Sequence, residues 1–383
     1  MILNRFFNWL LLAALTAFSC LTIAQPSLDF ITGKALFEKN WVPAPASTQA
    51  SDGLGPYYNA RSCNQCHPDG GSGSREQSLV LHLSDPVYGQ QLQKYAVPGL
   101  AVEAVVEFTH GENTSDYSIK SLQSGPMQTS AVSPRLASSL HGLGLLEAVP
   151  ESELAVLADE HDANSDGISG RINRVNGTVG RFGWKASQSS LDAQVARALS
   201  LDLGLGNPLH PSAYGDCTSH QPDCLAKPHG NSLHHDNLET NTTVLDLLLT
   251  YVRGLPAPGE SLPTEQSSPG SELFNSVGCA ACHVPALQAG KATLHPYTDL
   301  LLHDMGPGLA DSLVEGGALG HEWRTAPLWG LGRKTAEYLH DGRAQTLDEA
   351  IRWHDGEASG ARKNYEILTS DERNHLFAFL IGL

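Results

Sequence analysis

The chain has 383 residues and carries 41 Asp and Glu against 24 Lys and Arg, a formal net charge of −17. So acidic a chain is a poor match for nucleic acid or anionic lipid, although the charge permits steering of a basic redox partner. The length suits two or three domains rather than one small one, and seven cysteines are few enough for each to be assigned.

Met1 to Arg5 is a short basic start, Trp9 to Ile23 is nearly all apolar, and Thr22-Ile23-Ala24 puts small residues before Gln25. This predicts a secretory signal peptide over 1–24 and a periplasmic destination. The apolar run is short for a membrane span. An uncleaved anchor and a lipidated Cys20 are the two alternatives.

Next along the chain, Gly33-Lys-Ala-Leu-Phe37 is the first of two Gly-x-x-x-Phe patterns, and Cys63-Asn-Gln-Cys66-His67 is the first of two Cys-x-x-Cys-His motifs; the second copies are Gly270 to Phe274 and Cys279-Ala-Ala-Cys282-His283. Cys-x-x-Cys-His is the attachment signature of c-type haem. The two thiols add across the haem vinyl groups, and the histidine imidazole binds iron as proximal ligand. Structural zinc would place paired Cys-x-x-Cys elements much closer together than 63 and 279. A thioredoxin-like motif needs neither the trailing histidine nor this setting. The expected cofactors are therefore two covalently bound haem c groups.

Leu79 to Leu83 and Ala104 to Thr109 read as short strands. Asp162-Ala-Asn164-Ser-Asp166-Gly167 gathers oxygen side chains at alternate positions before a turn glycine, as calcium loops do. Asn173 stands where such loops carry an acid, so an Asx-rich turn making only internal hydrogen bonds is the competing reading. Leu191 to Leu201 and Thr243 to Val252 have helical apolar spacing. Cys217 and Cys224, the pair left after haem attachment, are expected to form a disulfide in an exported protein. Residues 253 to 270 are rich in Pro, Gly and Ser and read as the main linker. Thr369 and Glu372 predict a capped final helix carrying Leu376, Phe377 and Leu380.

The resulting expectation is a mainly α protein of two cytochrome-c-like domains. The first, 25–255, is elaborated with a small β insertion; the second spans 256–383.

Four further segments carry a likeness: Phe182-Gly-Trp184-Lys-Ala, Asp299 to Gly306, Arg324 to Leu331, and Tyr338-Leu-His340-Asp341-Gly342-Arg343-Ala344. With both haem motifs they resemble the bacterial di-haem oxidoreductase family, often labelled thiol oxidoreductases. That family is similar to the bacterial di-haem cytochrome c peroxidases and to the di-haem enzyme that matures methylamine dehydrogenase. The likeness spans essentially the whole chain after the leader. A thiol substrate role for the chain's own cysteines is not supported, since Cys20 leaves with the leader and haem and the expected disulfide use the other six.

The resemblance implies several roles. In the peroxidases a His-Asp-Gly turn is followed fourteen residues later by the distal ligand of the C-terminal haem, which falls on His354 here. Relatives use methionine or tyrosine there, and histidine in place of methionine lowers the redox potential. Met305 is the rival ligand. Trp184 matches a tryptophan placed between the haems, with Leu191 and Gln194 at the accompanying spacing; the plainer reading is a core aromatic beside a haem. The peroxidases carry a catalytic glutamate where this chain has Gly204, which leaves Asp202 and Glu147 as candidate acids. The haem on His67 would be the reactive one. His82, His110 and His141 read as ordinary polar or haem-edge residues.

These readings point to a peroxidase-like periplasmic oxidoreductase in which electrons pass from the C-terminal haem to an N-terminal haem that reduces hydrogen peroxide or a related oxidant. A small periplasmic redox protein would be the donor or acceptor, and a homodimer follows by analogy. The alternatives are a non-catalytic di-haem electron-transfer cytochrome and a haem-containing partner of a periplasmic metal-uptake system.

Overall fold

The computed structural model describes residues 26–111, 114–259, 269–334 and 336–383. The segment expected to be a signal peptide and most of the expected linker lie outside the described residues. Ser27 opens the first helix, Leu28–Glu38, by accepting the Phe30 N–H at 3.1 Å. That helix crosses a later one, Thr242–Gly254, and the crossing depends on Gly33. A Cβ there would lie 2.1 Å from the Leu247 carbonyl oxygen, so only hydrogen lets the backbones approach this closely. One turn on, Phe37 packs on Tyr251 with ring centroids 5.1 Å apart.

The same device recurs near the C-terminus. Helix Pro269–Val277 crosses helix Ser370–Gly382, a Cβ on Gly270 would lie 2.2 Å from the His375 carbonyl oxygen, and Phe274 packs on Phe379 at 5.3 Å. The predicted capping box is present, with Glu372 N–H donated to Thr369 Oγ1 at 3.3 Å and Thr369 N–H to Glu372 at 2.8 Å. Burying each Phe contributes roughly 1.5–3 kcal/mol, so both crossings are anchored by apolar contact rather than by propensity.

Two cores follow. Phe37, Trp41, Leu199, Leu248 and Val252 form one, to which helix Leu191–Asp202 contributes; Phe274, Val277, Tyr365, Leu376 and Leu380 form the other. A third cluster joins Leu146, Leu154 and Ile172 to Leu287, Leu300 and Leu301. The stretch around 146–179 therefore packs on residues of the expected second domain, which the hydrophobic pattern alone did not reveal.

The β insertion is larger than the two predicted strands. Val80–Asp85 pairs antiparallel with Gly89–Leu92 and with Val132–Arg135. A long hairpin, Ala104–Gly111 with Thr114–Leu122, lays Val106, Phe108 and Ile119 against that sheet's apolar side chains. Among the described residues helix outweighs strand, and the 37 glycines and 22 prolines of the sequence favour turns and loops between the elements. Cys217 and Cys224 are joined in a disulfide, as expected.

Candidate haem sites

Ser62 Oγ accepts the Gln65 N–H at 3.2 Å and so caps the single turn Cys63–Cys66. His67 follows, with Nδ1 2.8 Å from the Ser138 carbonyl oxygen. A carbonyl only accepts, so Nδ1 carries the proton and Nε2 keeps its lone pair. Burial holds the His67 pKa below its ordinary value, which keeps the ring neutral. Burial, with Asp202 nearby, pushes both thiols up to about 12, so neither Cys63 nor Cys66 is a free thiolate.

The second motif has the same construction. Gly278, at φ 105°, ends helix Pro269–Val277 and turns the chain into Cys279–Ala281. His283 Nδ1 donates to the Tyr297 carbonyl at 3.0 Å, and burial, then the neighbouring His354, brings its pKa to about 4. His354 Nδ1 donates to the Ala350 carbonyl at 2.8 Å. The two rings stand 6.5 Å apart between centroids and are tilted by 48°. His283, His354, Met305 and Trp184 all line one cavity of about 1210 Å³, which also reaches Pro68 and Asp69 just after His67. That exceeds the roughly 300–1,000 Å³ of small-molecule pockets. Met305 is positioned by its own N–H, donated to the His321 carbonyl at 3.0 Å.

Trp184 donates Nε1–H to the Leu136 carbonyl at 2.8 Å and meets His340 edge-on at 6.5 Å. His340 in turn stacks on Trp323, centroids 3.6 Å apart. Beneath Trp323 lies a charged cluster that sequence reasoning missed. Lys185 Nζ and the Arg135 guanidinium sit 4.5 and 4.6 Å from its ring centre, and both cations reach Asp311. Lys185 is wholly buried, and its adjacency to Trp184 was the one available signal.

The candidate acids separate clearly. Asp202 lies near both N-terminal thiols, accepts the Gln91 amide at 2.8 Å, and has its pKa raised by burial. Glu147 instead pairs with Arg253 at 2.7 Å and accepts the Leu191 N–H at 2.8 Å. Although burial opposes it, these partners hold Glu147 below its ordinary pKa, which favours its anionic form at the start of helix Leu191–Asp202. Gly204, at φ +71°, has no room for a side chain, since a Cβ would lie 2.5 Å from the Gly55 Cα. Gln194 places its amide oxygen 3.6 Å from where a Gly183 Cβ would be, beside the Trp184 turn. In the Asp162 loop, Asp162 accepts the Gly167 N–H, Asn164 that of Asp166, and Asp166 that of Ile168. Asn173 is committed elsewhere, to the Lys185 and Glu315 carbonyls. His82 is half-buried, with its pKa brought to about 3 by desolvation and then Arg135; His141 sits at the cavity wall. The His110 side chain lies outside the described residues.

The family described as "Di-haem oxidoreductase, putative peroxidase" matches residues 16–82 and 105–383. The chain belongs to this di-haem oxidoreductase family. The unmatched stretch, 83–104, holds strand Gly89–Leu92 and the approach to the hairpin. No curated protein matches the chain. Among solved structures, the hydrazine synthase of Kuenenia stuttgartiensis is 15% identical, with full coverage of both chains and a TM-score of 0.43. A MauG-like protein associated with microbial copper homeostasis is 17% identical over 63% of this chain and 87% of its own, at 0.31. A variant of the diheme peroxidase BthA from Burkholderia thailandensis is 13% identical over 93% of this chain and 86% of its own, at 0.40. No described helix is long and apolar enough to cross a membrane.

Proposed function

We propose that this family member is a periplasmic c-type oxidoreductase of peroxidase type, carrying one haem on Cys63, Cys66 and His67 and a second on Cys279, Cys282 and His283. The observation that carries the reading is the His283–His354 relationship. Two imidazoles on opposite faces of one metal, each bonded at about 2.0–2.1 Å, have ring centres roughly 6.3 Å apart; the observed separation is 6.5 Å. Both rings give Nδ1–H to a main-chain carbonyl, the outer hydrogen bond that orients metal-binding histidines. The cavity also suits a cofactor bearing carboxylates. Arg324 lines it, is 8% exposed, donates only to the Gly183 and Thr325 carbonyls, and makes no ion pair among the described residues.

Haem supplies one-electron redox chemistry and, where a coordination position is open, a site for a small oxidant. In this reading His283 and His354 would together hold the iron of the second haem, Met305 would not ligate it, and the haem on His67 would supply the reactive site. Trp184, fixed through the Leu136 carbonyl in the wall of the cavity that His283 and His354 line, would serve as the aromatic between the two centres. Asp202 is the proton donor, because burial favours its protonated form and it stands beside the first motif. The oxidant is hydrogen peroxide or a close relative, and the electron partner is a small periplasmic redox protein.

The oxidised spectrum of the holoprotein tests this. One high-spin and one low-spin haem are expected, with the high-spin bands changing on addition of peroxide. Two low-spin haems inert to peroxide would reduce the protein to an electron carrier.

A further inference from the structure

The Arg75 guanidinium makes no ion pair among the described residues. The residue begins the short helix Arg75–Ser78, eight residues beyond His67, and is 4% exposed. Its Nε and Nη2 have no hydrogen-bond partner among the described residues. A guanidinium cannot shed its proton to escape burial, and an uncompensated buried charge is strongly destabilising. No described side chain supplies the missing counter-charge, so a partner other than the described residues is called for.

The surroundings narrow the choice. The loop bearing Arg75 is folded back on the first motif, since a Cβ on Gly73 would lie 2.4 Å from the Cys66 carbonyl oxygen. Its side chain lies over Gly342, whose Cβ would sit 2.8 Å from Arg75 Cγ. Glu337 is occupied by the Arg75 main-chain N–H, accepted at 2.9 Å, and lines the large cavity with Ser74 and Gln77. An unpaired planar fork beside a haem-attachment motif fits a carboxylate. We propose that Arg75 is the anchor for a propionate of the haem on His67, joining that haem to the 337–342 turn of the C-terminal half. The assignment rests on the two-haem reading above.

The test uses holoprotein variants Arg75→Gln and Arg75→Lys. Intact mass is measured first. An unaltered protein carrying fewer than two haems would remove the reading beneath the proposal, and the proposal with it. With two haems present, spectroelectrochemical titration of Arg75→Gln should move one midpoint potential negative and make it pH-dependent near neutrality. The other should stay fixed, and Arg75→Lys should restore most of the change. The unmoved wave is assigned as the one that His354→Met displaces. Two unmoved potentials, or two moving together, would sink the Arg75 assignment alone. If Arg75→Gln yields no folded holoprotein, the propionate-bending band of Arg75→Lys in resonance Raman decides. A shifted band supports the contact and an unshifted one overturns it.

Discussion

His283 and His354 stand with ring centroids 6.5 Å apart, each held by its Nδ1 against a carbonyl, of Tyr297 and Ala350 respectively. Neither ring is free to choose its tautomer. Both are set up as neutral donors of a lone pair, and the chain spends two backbone acceptors to keep them so.

Replacing His354 by methionine should therefore raise the midpoint potential of the C-terminal haem while keeping it low-spin, because thioether favours the reduced iron. Replacing it by alanine should open the site. Electron paramagnetic resonance of the oxidised protein would then gain a second high-spin signal. Met305→Leu should change neither measurement; a lost low-spin signal in that variant would reassign the ligand.

Asp202→Asn should lower peroxide turnover by about 10²–10⁴-fold, the usual worth of a positioned acid. Haem content and both spectra should stay unchanged. Steady-state assay with a reduced small cytochrome reads the loss, and a variant at full rate would exclude Asp202 as the donor.

Glu147→Gln should behave in the opposite way. Its carboxylate links Arg253 to the start of helix Leu191–Asp202, so losing a cap and a half-exposed ion pair should cost about 1–2 kcal/mol. Urea unfolding measures this. Turnover at a permissive temperature should persist.

Installing at position 204 the glutamate that the resemblance to the peroxidases puts there should fail. The backbone there is left-handed, which costs an L-residue roughly 1–2 kcal/mol, and Gly55 leaves no space for a Cβ. Gly204→Ala should already destabilise the fold by about 2 kcal/mol or more on urea unfolding, and Gly204→Glu should accumulate poorly.

His303 predicts a pH dependence. Burial acts against its charged form, yet Asp299 at 2.8 Å, Cys282, and Glu357 at 2.7 Å raise its pKa well above the ordinary value. Stability from a raised histidine is complete below the unfolded pKa of about 6.5 and is lost as pH rises through the folded value. Glu357 works in the other sense. Burial raises its pKa, but His303 and Ser169 outweigh this and bring it to about 2. Its contribution is complete above roughly pH 4.3 and lost as pH falls toward 2. Unfolding free energy should thus peak between about pH 4.3 and 6.5. His303→Gln should flatten the alkaline side, and an unaltered alkaline slope would contradict the assignment.

Much of this was readable because it is local. The motif turns, the Thr369 capping box, the Cys217–Cys224 pair and both Gly-x-x-x-Phe crossings are each encoded within a few residues. His354 was reachable by its distance from His340. The charged cluster under Trp323 was not legible, since Arg135 and Lys185 meet Asp311 only after more than a hundred residues of intervening chain. Arg75 escaped for the same reason, because burial by Gly342 is a tertiary event. Position 204 showed its missing acid in the sequence, but the close approach of Gly55 that forbids one appears only in three dimensions.

The seam between Leu146, Leu154 and Ile172 on one side and Leu287, Leu300 and Leu301 on the other bears on how this polypeptide can be divided. Cutting it within 260–268 would strip a greasy surface from both fragments at once. They would behave as split-protein halves that stay in solution only when made together, so reassembly would precede any separate study of either centre.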